Sequence, residues 1–361
     1  MDLTLRAESA EFAATARSLI ARYLGAAADD REAASKPLWD AAVTAGWLEV
    51  LGSPLEYTDL EAAVCLLVEV GRAQPPIALQ VGMAARWLAA SVPGLAAWRG
   101  RLADQPDQIV ALCWPLGAGS PPPLQLTRRE HGYQADGDLG IVREAAPAGE
   151  LLAQAELDGQ PMLAVLPLRR DGISVTPVDG VGSLRQGRVQ VDAAQLAEDE
   201  VSPGLAPGDQ ARADALLLIL DAAELTGCAE MALEMTVRHA RTRRQFDRPI
   251  GTFQAVRHRI AGMASDVEQS RWLLYRSAAG LAQAEDAAHA LAQAHALALW
   301  NSVALERVIA SAHQVHGGIG FIRDHPLHRY FGRQKASMFT WAQPADHVES
   351  VLASVLSINQ N

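Results

Sequence analysis

"RTRRQFDRPIGTFQ", residues 241–254, sets four arginines ahead of an apolar Ile-Gly-Thr-Phe turn in a chain of net charge −11. Cations at a helix C-terminus are favoured by the helix dipole, so alone they read as a solvated helix end. The residues that follow change the reading. Phe246, Pro249, Ile250 and Phe253 would hold the backbone rigid beside the charges, and a guanidinium suits two-pronged contact with phosphate. The stretch therefore predicts an anion site at the end of a long helix.

Upstream lies "ADALLLILDAAELTGCAEMALEMTVRHA" (213–240), amphipathic and nearly free of helix breakers. Downstream, residues 253–284 and 287–317 repeat that character across short loops, which favours antiparallel neighbours in a bundle. The N-terminal third is helical as well, with apolar positions three and four apart in "TDLEAAVCLLVEVGRA" (58–73). Between them "QIVALCW" (108–114), "MLAVLPL", "GISVTPV" and "GRVQVDA" are short β-type runs separated by Gly, Pro and Asp. The expected organisation is mostly α with a small central β-domain: 1–108 helical, 109–207 β, 208–361 a helical bundle.

With 49% hydrophobic and 20% charged residues, the composition is that of a globular chain. The excess of 42 acidic over 31 basic residues argues against nucleic acid or an anionic membrane as partner. Cys65, Cys113 and Cys228 are scattered and give neither a disulfide framework nor a zinc ribbon. With no apolar signal core and no run approaching a membrane span, a cytoplasmic protein is expected.

A second glycine-bearing stretch, "HQVHGGIGFIRDHPLHRYF" (313–331), follows the last long helical run. Gly317, Gly318 and Gly320 permit close backbone approach to a ligand, or serve as a helix cap and turn. The pairs His313/His316 and His325/His328 lack acidic or Cys partners at metal-ligand spacing, so no metal is assigned to them.

Taken together, the two stretches, in the last of three helix–β–helix regions, resemble the acyl-CoA dehydrogenase family along nearly the whole chain. "ALCWPLGAGS" (111–120) falls where that family has its flavin-facing Thr-Glu-Pro-x-x-Gly-Ser loop. The resemblance implies a helical N-terminal domain, a β-barrel-like middle domain and a C-terminal four-helix bundle. It maps Arg243, Phe246 and Gln254, then Gln314, Gly317 and Gly318, onto the ADP half of an FAD whose flavin ring lies mainly in a neighbouring subunit.

The chemistry of the family needs a carboxylate to take the α-proton of an acyl thioester while flavin takes the β-hydride. Here Trp341 and Leu217 occupy the two usual Glu positions, and neither side chain accepts a proton. Asp221, one turn on from Leu217, and Glu224 share that helix; a helix-surface or subunit-contact role is expected of Asp221. Trp114-Pro115-Leu116 replaces the Thr-Glu-Pro, Ile141-Val142-Arg143 a flavin-touching Trp-Ile-Thr, and Leu218 a substrate-side Arg. Asp247 stands where Gly is usual, and Arg257 where Gln is common.

Residues that would hold this chain's own flavin and thioester are thus mostly replaced, while those reaching a neighbour's FAD largely remain. Some family members are α2β2 heterotetramers with the catalytic Glu in one subunit type only. The resemblance implies the other type: no catalytic residue of its own, a shared FAD, a catalytic partner subunit and an acyl-CoA held mainly by that partner. The rival expectations are a self-sufficient flavoenzyme using Asp221 or Glu224 as base, and a flavin-free scaffold subunit.

Overall fold

The computed structural model describes residues 5–26, 30–116, 123–179, 185–340 and 344–358. Five helices come first: α1 (Ala7–Ala26), α2 (Ser35–Thr44), α3 (Tyr57–Ala73), α4 (Leu79–Ser91) and α5 (Ala96–Asp104). Strands follow: β1 (Val110–Cys113), β2 (Leu124–Arg129), β3 (Gly132–Arg143), β4 (Glu150–Leu157), β5 (Gln160–Pro167), β6 (Ile173–Val178), β7 (Gln186–Leu196) and β8 (Val201–Pro203). The chain then returns to helix in α6 (Pro207–Thr242), crosses a small hairpin of β9 (Arg244–Gln245) and β10 (Arg248–Pro249), and continues as α7 (Gln254–Ala282) and α8 (Ala287–His316). Two last helices, α9 (Leu327–Thr340) and α10 (Pro344–Ile358), complete it.

The strands form one sheet ordered β6-β7-β3-β2-β4-β5-β8, with β1 parallel to β4. Among the described residues its ends, β6 and β8, do not pair, so the barrel-like middle domain is an open sheet. Its central strands are buried on both faces, and side chains alternate between two cores as the two-residue period of a strand requires. Leu112, Leu152, Leu163 and Val165 join the core shared with the helices; Ala111, Leu151, Ala153 and Ala164 face a second core within the sheet.

The larger core runs through all three regions of the chain. Its axis is α6, which packs against α3, α7 and α8. Two glycines allow α3 and α6 to touch by backbone. A Cβ on Gly71 would stand 1.9 Å from the Glu224 carbonyl oxygen, and one on Gly227 would stand 2.0 Å from that of Val68. This crossing fixes the middle of α6 deep in the protein and leaves its C-terminal turn at the surface. No helix among the described residues is long and apolar enough to cross a membrane.

Candidate functional site at the end of the bundle

Arg243 ends α6. Its N–H still donates to the His239 carbonyl (2.8 Å), but its ψ of 123° turns the chain out of the helix. Arg244–Gln245 then pairs with Arg248–Pro249, and the Ile250 N–H donates back to the Arg243 carbonyl at 2.8 Å. Phe246 and Asp247 form the tip with φ of 52° and 62°, the left-handed pair that a two-residue hairpin turn of this hand demands. That geometry accounts for the position at which Gly is usual: Asp is among the few residues that visit this region at modest cost.

Rigidity comes from this backbone closure and from the Arg248 guanidinium stacked 4.2 Å from the Phe253 ring centroid. Phe246 does not clamp the turn as expected. It meets only the edge of Phe253, at 6.1 Å, and is 86% exposed. Arg243 is exposed too, and among the described residues its guanidinium has no acceptor. Gln254 opens α7 on the surface.

The second stretch lies at the same end. Gln314 is exposed on the last turn of α8, and Gly317 leaves the helix with φ +63°, where a side chain would be strained. A Cβ on Gly317 or Gly318 would meet nothing within 4 Å, so both face open space. The two stretches are tied by His239 of α6 and His316 of α8, stacked at 4.5 Å, with His325 against His316 at 4.8 Å. Burial, reinforced by the neighbouring imidazoles, lowers the pKa of His239 and His325; burial is also the main cause for His316. His313 and His316 are hydrogen-bonded through Nδ1 to the Ile309 and Ala312 carbonyls within their own helix. Among the described residues, no three His, Cys, Asp or Glu side chains are placed to hold a metal.

The inward face of α6 is filled. Leu217 and Leu218 are buried in the main core. Asp221 is 4% exposed and Glu224 2%, which overturns the expectation that Asp221 serves the helix surface or a subunit contact. Arg333 of α9 meets Asp221 at 2.5 Å and Glu224 at 2.7 Å; Arg143 of β3 meets Glu224 at 2.9 Å and Asp221 at 3.5 Å. Gln80 of α4 accepts from Arg143, and Ser337 donates to Asp221. Burial pushes the Asp221 pKa up, but Arg333 and Arg143 outweigh it and hold the carboxyl below its usual value. Burial likewise opposes the Arg333 charge, and the two carboxylates outweigh it upward.

This quartet accounts for Arg143, Asp221 and Glu224 together. The two carboxylates proposed as rival bases are engaged by guanidinium groups, and the cavity beside Asp221 is ≈ 30 Å³, room for a water or two. Trp114 is buried, and its indole N–H donates to Asp214 Oδ1 at 2.8 Å, where Gln210 also donates at 2.7 Å. Burial raises the Asp214 pKa to about 6 against those bonds. The sequence reading passed over Asp214; its signal was a place seven residues before Asp221, on the same face of α6. Trp341 and the part of the aligned flavin loop at 117–120 lie outside the described residues.

The helix–sheet–helix architecture is that of several solved structures. The structure of the ChsE4-ChsE5 complex from Mycobacterium tuberculosis matches at a TM-score of 0.80 over all of both chains, with 24% identity. That of a Tcur3481-Tcur3483 steroid ACAD variant matches at 0.85 over 99% of this chain and 100% of the other, also at 24% identity. Residues 219–340 match the acyl-CoA dehydrogenase C-terminal domain. Acyl-CoA dehydrogenase IpdE2 of Mycolicibacterium smegmatis is 35% identical over 60% of this chain and 67% of its own length. FadE27 of Mycobacterium tuberculosis is 33% identical over 64% of this chain and 62% of its own. The chain belongs to the acyl-CoA dehydrogenase family.

Proposed function

We propose that this chain is the non-catalytic subunit of a heteromeric FAD-dependent acyl-CoA dehydrogenase, supplying the ADP-binding half of its partner's FAD site. One contrast carries the reading. The end of α6 presents an exposed guanidinium, at the same end of the bundle as two glycines past α8 that face open space, whereas the middle of α6 is sealed by paired charges. The first arrangement fits a diphosphate and adenosine; in the second, the cavity among the described residues beside Asp221, ≈ 30 Å³, is too small for a flavin ring or a thioester. FAD, when bound, supplies the hydride acceptor. Arg243 would hold its diphosphate, Phe246 and Gln254 would flank it, and Gln314, Gly317 and Gly318 would let the adenosine end approach the backbone. A ChsE4-ChsE5 complex and a Tcur3481-Tcur3483 steroid ACAD among the structural neighbours support a partner subunit and a steroid-derived CoA thioester as substrate; the catalytic role of that partner and an α2β2 assembly belong to the proposal itself.

The test is co-expression with the partner recovered from the native host. The complex is expected to be yellow with half as many flavins as subunits, and Arg243→Ala is expected to weaken FAD by roughly ten- to a hundredfold. That range follows from about 1.5–3 kcal/mol for a charge-assisted hydrogen bond. Arg241→Ala is the control with an effect near zero. One flavin per subunit, or a flavin content indifferent to Arg243→Ala, overturns the assignment; a colourless active-site-free complex would make the chain a scaffold.

A further inference from the structure

A cleft of ≈ 510 Å³ lies at the opposite end of α6, where the three regions of the chain meet. It is bounded by the Ser53–Leu55 loop, the end of α4, the linker into α6 and the end of α7. Its size falls in the range of small-molecule sites. Arg243 is 31 residues away from Arg212 along one helix, about 45 Å at 1.5 Å per residue, so this cleft is no part of the dinucleotide end.

The lining has a definite polarity. Leu88, Val92, Leu205 and Leu281 give an apolar wall. Arg212, which also lines the cleft, is half-buried, and its one hydrogen bond to the protein goes to the neutral Ala284 carbonyl at 2.7 Å. Among the described residues no carboxylate stands within ion-pairing distance of that guanidinium. Asp209, one turn earlier on the same wall, is exposed, and water screens it more than it screens Arg212.

We propose that this cleft binds a small amphipathic monocarboxylate, its chain against Leu88, Val92, Leu205 and Leu281 and its carboxylate on Arg212. The site is independent of the flavin reading. A guanidinium lacking an anionic partner, beside an apolar wall, selects a ligand with one charge and one greasy end over a sugar, a nucleotide or a cation.

Octanoate is the probe, titrated calorimetrically into the purified complex, with octanol as the uncharged counterpart. Saturable binding of one octanoate per copy of this chain is expected, with octanol weaker by about tenfold or more. Arg212→Gln is expected to remove that preference for the acid. Ser91→Phe, which fills the cleft and leaves the charge in place, is expected to abolish binding of both, with circular dichroism confirming that each variant is folded. Absence of saturable binding in the unaltered complex overturns the proposal. So does octanoate binding that survives Arg212→Gln undiminished, or that survives Ser91→Phe, since the ligand would then be adsorbing to another apolar surface.

Discussion

A carboxylate's surroundings decide what it can do, and α6 carries two contrasting cases within eight residues. Asp221 is paired with two arginines and held ionised; Asp214 meets only neutral donors, and burial lifts it to about 6. The sequence marked the first as a possible base because it lies one turn from Leu217. It had no way to announce that Arg143, far off in a strand, and Arg333, in a late helix, would converge on it. Asp214 gives a testable pH signature. Its folded pKa lies above the unfolded value near 3.8, so the fold favours the protonated form. Stability is full below that value and is lost as pH rises through about 6. Asp214→Asn keeps an acceptor for Trp114 and Gln210 without the charge. The variant complex is expected to resist urea better than the parent at pH 7.5, by on the order of 2–3 kcal/mol, and equally at pH 4. A difference that is the same at both pH values would rule out the buried charge as its cause.

The long helices were legible because apolar periodicity and short loops report a bundle directly, and α6, α7 and α8 fall on the stretches where that pattern is clean. Two central strands were not. β4, "ELLAQAEL", is written in helix-favouring residues, and only pairing on both sides makes it a strand. β3 carries glycines and aspartates that read as turns, and register shifts at Ala135/Gly137 and Asp138/Gly140 absorb them. At the other end of the chain α10 is fastened to α8 by His295 and His347, both buried, Nδ1 to Nδ1 at 2.8 Å. Burial lowers both pKa values, that of His295 to about 4, with Asp346 pulling the other way on each and Asp221 on His347. A histidine depressed in the fold stabilises it above the unfolded pKa near 6.5, and the contribution fades as pH falls toward 4. From His295 alone, release of α10 should become roughly 20-fold more favourable at pH 5 than at neutrality. Amide exchange in α10, corrected for intrinsic rates, is expected to accelerate by at least that factor relative to α8, and the double variant His295→Leu/His347→Leu should flatten the dependence. Equal protection of the two helices at pH 5 would count against the pair as the fastening.

Across the whole molecule, one helix serves two opposed ends. The C-terminal turn of α6 is held outward beside the glycines of α8. Its middle is locked by contacts reaching α4, β3 and α9, and Trp114, just past β1, closes on Asp214. On the proposed reading, restoring a catalytic acid restores one part of a machine whose other parts are replaced. On that reading Trp341→Glu puts a carboxylate at one usual position, but Arg143, Leu218 and Trp114 would still stand where the flavin and substrate contacts are expected. The cavity beside Asp221 remains ≈ 30 Å³, far below the 300 Å³ or so at which ligand sites begin. Residues that act as a unit return little when one is replaced. With a panel of CoA thioesters and an artificial electron acceptor, the isolated Trp341→Glu chain is expected to show no turnover and no tight flavin. Leu217→Glu should do no better, because it buries an acid in the main core, one turn from Asp221, where the two arginines are already balanced by Asp221 and Glu224. Turnover in either single variant would mean that the quartet opens on binding, and the division of labour between this chain and a catalytic partner would have to be abandoned.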